Sequence, residues 1–370
     1  MVIKDIIAEM EKICPPALAQ SWDNVGLLVG SDTGKASDVL LTIDVTKAVV
    51  DEAKKLGCKF IISYHPLIWD GLKKVADGSS GELVYELIKA GISVYSIHTS
   101  LDVIEGGVND GLAKMVGIAD AKPIGDWVSM PGRENYKLSV FIPVGAVNDV
   151  AQAIFAAGAG AIGNYSDCSF RSNGQGTFLP REGANPAIGK RGQLERVDEV
   201  KFETIVPAGK ILDVIKAMRA VHPYEEPAFD VISLNDVENM FGLGRMGTLG
   251  KPAKVSEIIK NIKAATGCKA IGIVGDKNRL IKTAAVCAGV CGKILYQVIG
   301  AGCDLYLTGE MKHHEALAAQ EAGLTVICLT HSVSERFMLK KLAKTLQKPL
   351  KDVKICVSKK DKDPFEWKYV

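Results

Sequence analysis

The sequence predicts an α/β fold. A discontinuous domain with mostly parallel sheets, residues 1–127 and 236–370, is interrupted by an inserted ferredoxin-like α+β domain at 128–235. Three observations predict this. Short apolar strand runs alternate with amphipathic helices in the first third, and the same alternation returns in the last third. Between them the order of strands and helices changes and closes on itself, as a small ferredoxin-like module would.

Taken in order, MVIKDIIAEMEKICPP (1–16), broken by Lys4, Asp5, Glu9, Glu11 and Lys12, reads as an amphipathic helix, not a signal peptide. DVLLTIDV (38–45) is a strand, TKAVVDEAKKLG (46–57) a helix stopped by Gly57, and CKFIISYHP (58–66) a buried strand. A helix at 80–91 and a strand at 92–99 follow. In the middle, 136–143 is a strand, 147–157 a helix, and 165–180 two strands around a Gly-rich turn. Residues 194–207 alternate as a strand, 209–223 form a helix, and 227–234 another strand. Glu195, Glu199 and Glu203 fall on one face of that predicted strand, a pattern that predicts a solvated surface. The last third gives strands at 269–275, 282–289, 303–309 and 324–330, and helices at 313–323 and 334–347.

Composition narrows the function classes. Apolar residues make up 47% and charged residues 24%, ordinary for a globular chain, which excludes disorder and a disulfide mini-scaffold. A net charge of +2 advertises neither nucleic acid nor an anionic membrane as partner. No apolar run reaches the roughly 18 residues of a spanning helix. The nine cysteines include no CxxC pair, and buried thiols in a reducing cytoplasm are the expected state. Cys287 and Cys291 alone supply too few ligands for a thiolate metal site. Walker A and GxSxG motifs are both missing. Residues 288–292 form either a tight strand–helix turn or an anion nest.

The chemistry points to the histidines. Of six, His65, His98 and His331 each follow an apolar strand run. In open α/β sheets, ligands collect beyond the carboxyl ends of the strands, where Asp44 also falls. Asp102 lies four residues after His98, and Glu335 four after His331. Imidazoles and carboxylates together are what a two-metal site requires. Each piece also has a plain structural reading. A strand-end His can be a hydrogen-bonded rim residue, Asp102 a turn residue before Gly106-Gly107, and Glu335 the closing member of a capping box with Ser332. His313 and His314 fit the exposed start of a helix.

Six segments in order are more specific: SWDNVGLLVG (21–30), LTIDVT (41–46), SYHPLIW (63–69), HTSLDVIEGGVND (98–110), LTGEMKHHEA (307–316) and HSVSE (331–335). They resemble the Nif-three-like family of dinuclear-metal proteins, whose members carry the name GTP cyclohydrolase I type 2 homologue. The middle segment resembles the PII/CutA-like insert of longer members. The resemblance implies a toroidal homohexamer with one or two divalent metals per chain, Zn, Fe or Mn, held by His65, Asp102, His331 and Glu335. Asp102 would bridge, His98 would be a ligand or the catalytic acid/base, and His314 and Glu310 would stand behind the ligands. Tyr64 departs from the pattern, because many members have a histidine there. A phenol with a reference pKa of about 10 is a poor ligand, so the second metal would be short of a nitrogen.

Two functions from different classes follow. The resemblance implies a cytoplasmic metal-dependent hydrolase acting on a small molecule or nucleotide, with no cofactor beyond the metals. The alternative is a non-enzymatic metal-binding or regulatory hexamer in which the insert acts as a sensor or lid.

Overall fold

The computed structural model describes residues 1–36, 38–129, 135–234, 240–290 and 292–367. The chain divides into two compact units, Met1–Val128 with Phe241–Val370, and Ser129–Met240.

The first unit contains two sheets. One has the spatial order Gly26–Val29, Ser93–Ser96, Phe60–Ser63, Asp38–Thr42, Lys354–Val357. Only its Gly26–Val29 edge pairs antiparallel. Its central strands Phe60–Ser63 and Ser93–Ser96 are buried at every residue, and Asp38–Thr42 at all but the first, as strands covered on both faces must be. Thr46 opens the following helix by accepting from the Val49 N–H, and Gly57, at φ +71°, closes it in the left-handed conformation. The other sheet runs Gly272–Val274, Thr325–Cys328, Leu305–Glu310, Leu280–Val290, Met240–Lys254, Lys122–Ser129. Its three central strands are parallel, but Gly272–Val274 and Met240–Lys254 flank them antiparallel, so this sheet is mixed. The strand Lys354–Val357 had no counterpart in the sequence reading; it returns from the C-terminal region to pair with Asp38–Thr42. Among the described residues, no helix is long and apolar enough to cross a membrane.

The second unit is a ferredoxin-like β-α-β-β-α-β module with the order Ser169–Phe178, Glu195–Pro207, Asn135–Pro143, Phe229–Leu234. Its first and last strands are antiparallel neighbours, and Asn135 faces Leu234 directly. Two helices, Val147–Ala156 and Ile211–Val221, cover one face through Val150, Ile154, Val214 and Met218.

Two expectations are corrected here. Residues 165–180 do not turn at their glycines. Ser169–Phe178 is one strand, in unbroken register with Glu195–Pro207. A Cβ at Gly176 would lie 2.2 Å from the Glu199 Oε2, so that glycine makes room for a side chain rather than a turn. The face carrying Glu195, Glu199 and Glu203 is not simply solvated. Glu199 is buried, and Glu203 sits 3.0 Å from both Lys137 and Lys201, whose ammonium groups hold its carboxyl down at about 2.

His222 in this unit is buried and bonded on both sides. Its Nε2 lies 3.1 Å from the Phe141 carbonyl, and its Nδ1 lies 3.1 Å from the Tyr224 N–H. Nε2 must therefore donate and Nδ1 accept, which fixes the neutral tautomer. Burial pushes its pKa down, against the Phe141 bond and the nearby Glu199 charge. An unfolded histidine protonates near 6.5. Below that pH the opened segment binds a proton that the closed one excludes, so opening becomes easier as pH falls. The Tyr224 amide should lose exchange protection by up to about tenfold per pH unit below 6.5, beyond the intrinsic rate change. In His222→Gln this dependence should vanish.

Candidate metal centre

The carboxyl ends of the parallel strands in both sheets of the first unit carry the polar residues. His65 follows Phe60–Ser63, and the Ile43 carbonyl accepts its N–H at 3.0 Å, extending the sheet ladder by a step. His98 opens a helix, His98–Val103, where the sequence suggested continued strand; the strand stops at Ser96. Its amide donates to the Tyr64 carbonyl at 2.9 Å. His331 and Glu335 stand at the start of Val333–Gln347, after Thr325–Cys328.

Three of these residues converge. Donor atoms of His65, His331 and Glu335 lie within 4.8 Å of one another. Glu335 is 2% exposed; its Oε1 is 3.2 Å from the His331 Nε2, and its Oε2 is 3.5 Å from the His65 Nε2. The Oε2 makes no hydrogen bond among the described residues. Both imidazoles are anchored from behind. The His65 Nδ1 is 2.9 Å from Asp44, and the His331 Nδ1 is 2.9 Å from Glu310. This is the carboxylate–histidine arrangement that fixes a ring and aims its Nε2 at a metal. Burial disfavours the His65 cation, but the Asp44 and Glu335 carboxylates outweigh it and lift its pKa to about 10.

The backbone is shaped to fit. Thr330, just before His331, has φ +82°, an outlier for a β-branched residue, and its hydroxyl donates to Asp363 at 2.8 Å. Gly289 has φ +64°, and a Cβ there would stand 3.0 Å from the Glu335 Oε1. The Ser334 hydroxyl accepts from the Gly289 N–H and donates to the His331 carbonyl. The capping box between Ser332 and Glu335 does not form: the Glu335 side chain is turned to the imidazoles, and the Ser332 Oγ has no partner among the described residues.

Asp102 stands beside this set, outside it. It is buried, and one oxygen accepts from the Tyr64 hydroxyl. Burial holds Asp102 well above the usual carboxylate range; the Tyr64 bond works against this and the Glu335 charge adds to it. Burial and the Asp102 charge likewise keep the Tyr64 phenol well above its ordinary value. His98 points its Nδ1 at Asp23, 2.8 Å away, and its ring centre is 5.3 Å from that of His65. Asp23 lies in SWDNVG but had no role in the sequence reading, since only the folded chain brings it to His98. The helix bearing His98 and Asp102 ends on Arg245, whose guanidinium donates to the Val103 and Ile104 carbonyls. His314 is exposed and packs on His313, away from the three donors. Cys291 lies outside the described residues, so the Cys287/Cys291 pair is not placed.

An orphaned buried carboxylate oxygen between two anchored imidazoles fits a divalent cation. Two nitrogens and a carboxylate suit Zn or Fe(II) and leave coordination positions open. The fold and this donor set define an α/β protein able to hold a divalent metal. The chain belongs to the Duf34/NIF3 (NGG1p interacting factor 3) family, whose sequence model matches residues 1–364. It is 37% identical to a Halalkalibacterium halodurans protein named GTP cyclohydrolase 1 type 2 homolog, over 97% of each chain. A Bacillus subtilis protein of the same name is 36% identical, over 98% of this chain and 97% of its own. A Bacillus cereus structure described as related to NIF3 superposes with a TM-score of 0.69 at 37% identity. A Staphylococcus aureus protein superposes with a TM-score of 0.76 at 29% identity; both structures cover 99% of each chain.

His331→Ala and Glu335→Gln should each remove most bound metal after dialysis against a mild chelator, read by elemental analysis. Asp44→Asn and Glu310→Gln should weaken binding by about 10–100-fold, as loss of an anchoring partner does. Gly289→Ala should cost about 1–2 kcal/mol of stability from its left-handed φ and weaken metal binding as well. Unchanged metal content in both ligand variants would overturn the assignment.

Proposed function

We propose that the chain is a metal-dependent hydrolase built on His65, His331 and Glu335, with Asp102 completing a second metal position and His98 beside it as the acid/base. The observation that carries this reading is the pair of imidazoles whose Nδ1 atoms are tied to carboxylates and whose Nε2 atoms face the two oxygens of the buried Glu335 carboxylate, His331 at Oε1 and His65 at the Oε2 that makes no hydrogen bond among the described residues. A bound divalent ion there would supply Lewis acidity and a water of lowered pKa. The chain's own groups do the rest. Asp23 is kept ionised: burial works against it, but His98 and Thr99 outweigh burial and hold its carboxyl below the usual range. It thereby orients His98, leaving Nε2 to take or give a proton. Trp69 and Trp22, 54% and 59% exposed, stand with ring centres 5.2 and 5.9 Å from that of His98. These indoles offer a planar substrate a surface to stack on.

The name borne by the relatives makes GTP the first substrate to try, and simple phosphoesters the second. Metal-loaded protein should turn over one of these, and His331→Ala should not. Trp69→Ala should raise KM about fivefold while leaving kcat nearly unchanged, the worth of one aromatic contact. Equal, background-level rates for wild type and His331→Ala on both substrates would leave the non-enzymatic metal-binding reading in its place. The toroidal hexamer belongs to the same proposal, and a mass measurement in solution tests it.

Tyr64 sets the relation between the two metals. Its phenol is committed to Asp102 and resists ionisation, so the second position should fill only at high free metal. Calorimetric titration of the metal-free protein should show one tight equivalent and one weak one per chain. Tyr64→His should tighten the weak one, and Tyr64→Phe should spare the tight one. Two equally tight equivalents, both lost in Tyr64→Phe, would make the phenolate a ligand.

A further inference from the structure

The helices cover one face of the four-stranded sheet in the second unit. The opposite face of such a two-layer module is ordinarily open to water. Here it floors a cavity of about 780 Å³, within the size range of small-molecule sites. Phe141, Gly174, Glu199 and Lys201 contribute to the floor, and Phe178 and Tyr224 to a wall, their rings 5.6 Å apart. The segment 179–194 carries neither helix nor strand and bounds the cavity through residues 179–188. A connection this long inside a compact module is uncommon and is usually functional. It is also held in place. The Asn185 N–H donates to Glu225 at 2.9 Å, the Gly192 N–H to the Pro180 carbonyl at 2.9 Å, and the Arg191 Nε to the Ala184 carbonyl at 2.6 Å.

Glu199 is 7% exposed and lines the cavity. Its Oε1 accepts the Tyr224 hydroxyl at 2.8 Å, while its Oε2 accepts no hydrogen bond among the described residues. Space is kept around it. A Cβ at Gly174, opposite Glu199 in the register, would meet nothing within 4 Å, and one at Gly176 would collide with the carboxylate. The nearby cation is already committed, since the Lys201 Nζ lies 3.0 Å from Glu203. With Glu225 and Glu226 the lining carries three carboxylates, against Arg181 and the already engaged Lys201. A carboxylate oxygen without a donor on the wall of a partly apolar cavity favours a ligand that brings one. Aromatic rings beside it favour a cation over an anion.

We infer that this cavity is a binding site for a small organic cation, an amine or amidinium with an apolar or aromatic body, whose N–H groups engage the free oxygen of Glu199. The site is independent of the metal centre and of the hydrolase reading.

The test uses full-length, metal-loaded protein and an isosteric pair of probes, benzamidinium and neutral benzamide. Calorimetry and amide chemical-shift mapping should show saturable 1:1 binding of benzamidinium, with shifts at 174–178 and 222–228. Benzamide should bind at least about tenfold more weakly, as should benzamidinium to Glu199→Gln. That variant keeps the acceptor for Tyr224, and Tyr224→Phe, which leaves the carboxylate in place, should retain most of the affinity. Absence of benzamidinium binding at millimolar concentration overturns the proposal, and so does equal affinity for the two probes. Concentration-dependent protection of 174–178 without any probe, accompanied by self-association, would show that a second copy fills the cavity, and overturns it as well.

Discussion

The metal centre depends on the Glu335 carboxylate, almost wholly buried yet short of one hydrogen bond. A buried anion with an unused oxygen raises the free energy of the folded chain unless something positive meets it. Here two imidazoles and, in the metal-bound state, a dication meet it, and the surrounding backbone is arranged to keep them there. Gly289 leaves no side chain to intervene, Ser334 fastens the Gly289 strand to the His331 carbonyl, and Thr330 takes up an unfavourable φ so that His331 turns inward. Stability given up at these positions becomes ligand placement, the usual exchange at a functional site.

Around that anion the site has a graded structure. Asp44 and Glu310 stand behind the imidazoles, partly exposed, while Asp23 and Asp102 are buried. Asp102, held with Tyr64 out of water, is pushed toward its protonated form as long as no cation is near. A cation bound beside Asp102 would have to displace that proton, since ligands must deprotonate to coordinate.

Much of this was legible in the sequence, and the limits have physical causes. An apolar run ending in histidine announces a strand whose last residue leaves the sheet, so His65 and His331 could be found, with Glu335 at helical spacing. Their convergence could not, because it depends on two sheets meeting at their carboxyl ends. Asp23 carries no periodic signal and gains its role only by proximity to His98. Glu335 was open to a capping role because Ser-x-x-Glu is the same string whether or not the side chain turns back to its own backbone. Glu199 was misread for a related reason. Alternation tells which residues share a face, but not whether a distant loop lies over it. Gly174 and Gly176 suggested a turn, since a sequence does not distinguish a glycine needed for its φ from one needed for its missing Cβ.

The pairing of Asn135 with Leu234 has a consequence for how the first unit assembles. Facing residues of an antiparallel pair are about 5 Å apart, so once the inserted module has folded, its entry and exit points are adjacent. More than a hundred residues then act on the surrounding chain as a tight turn would. The entropy of closing so long a loop is met within the module's own folding instead of by the contacts that join the two halves. His65 and His331, 266 positions apart in sequence, are thereby brought 112 positions closer along the effective chain. The donors His65, His331 and Glu335 all lie outside the module, so the chain that must bring them together is the shorter one its closure leaves.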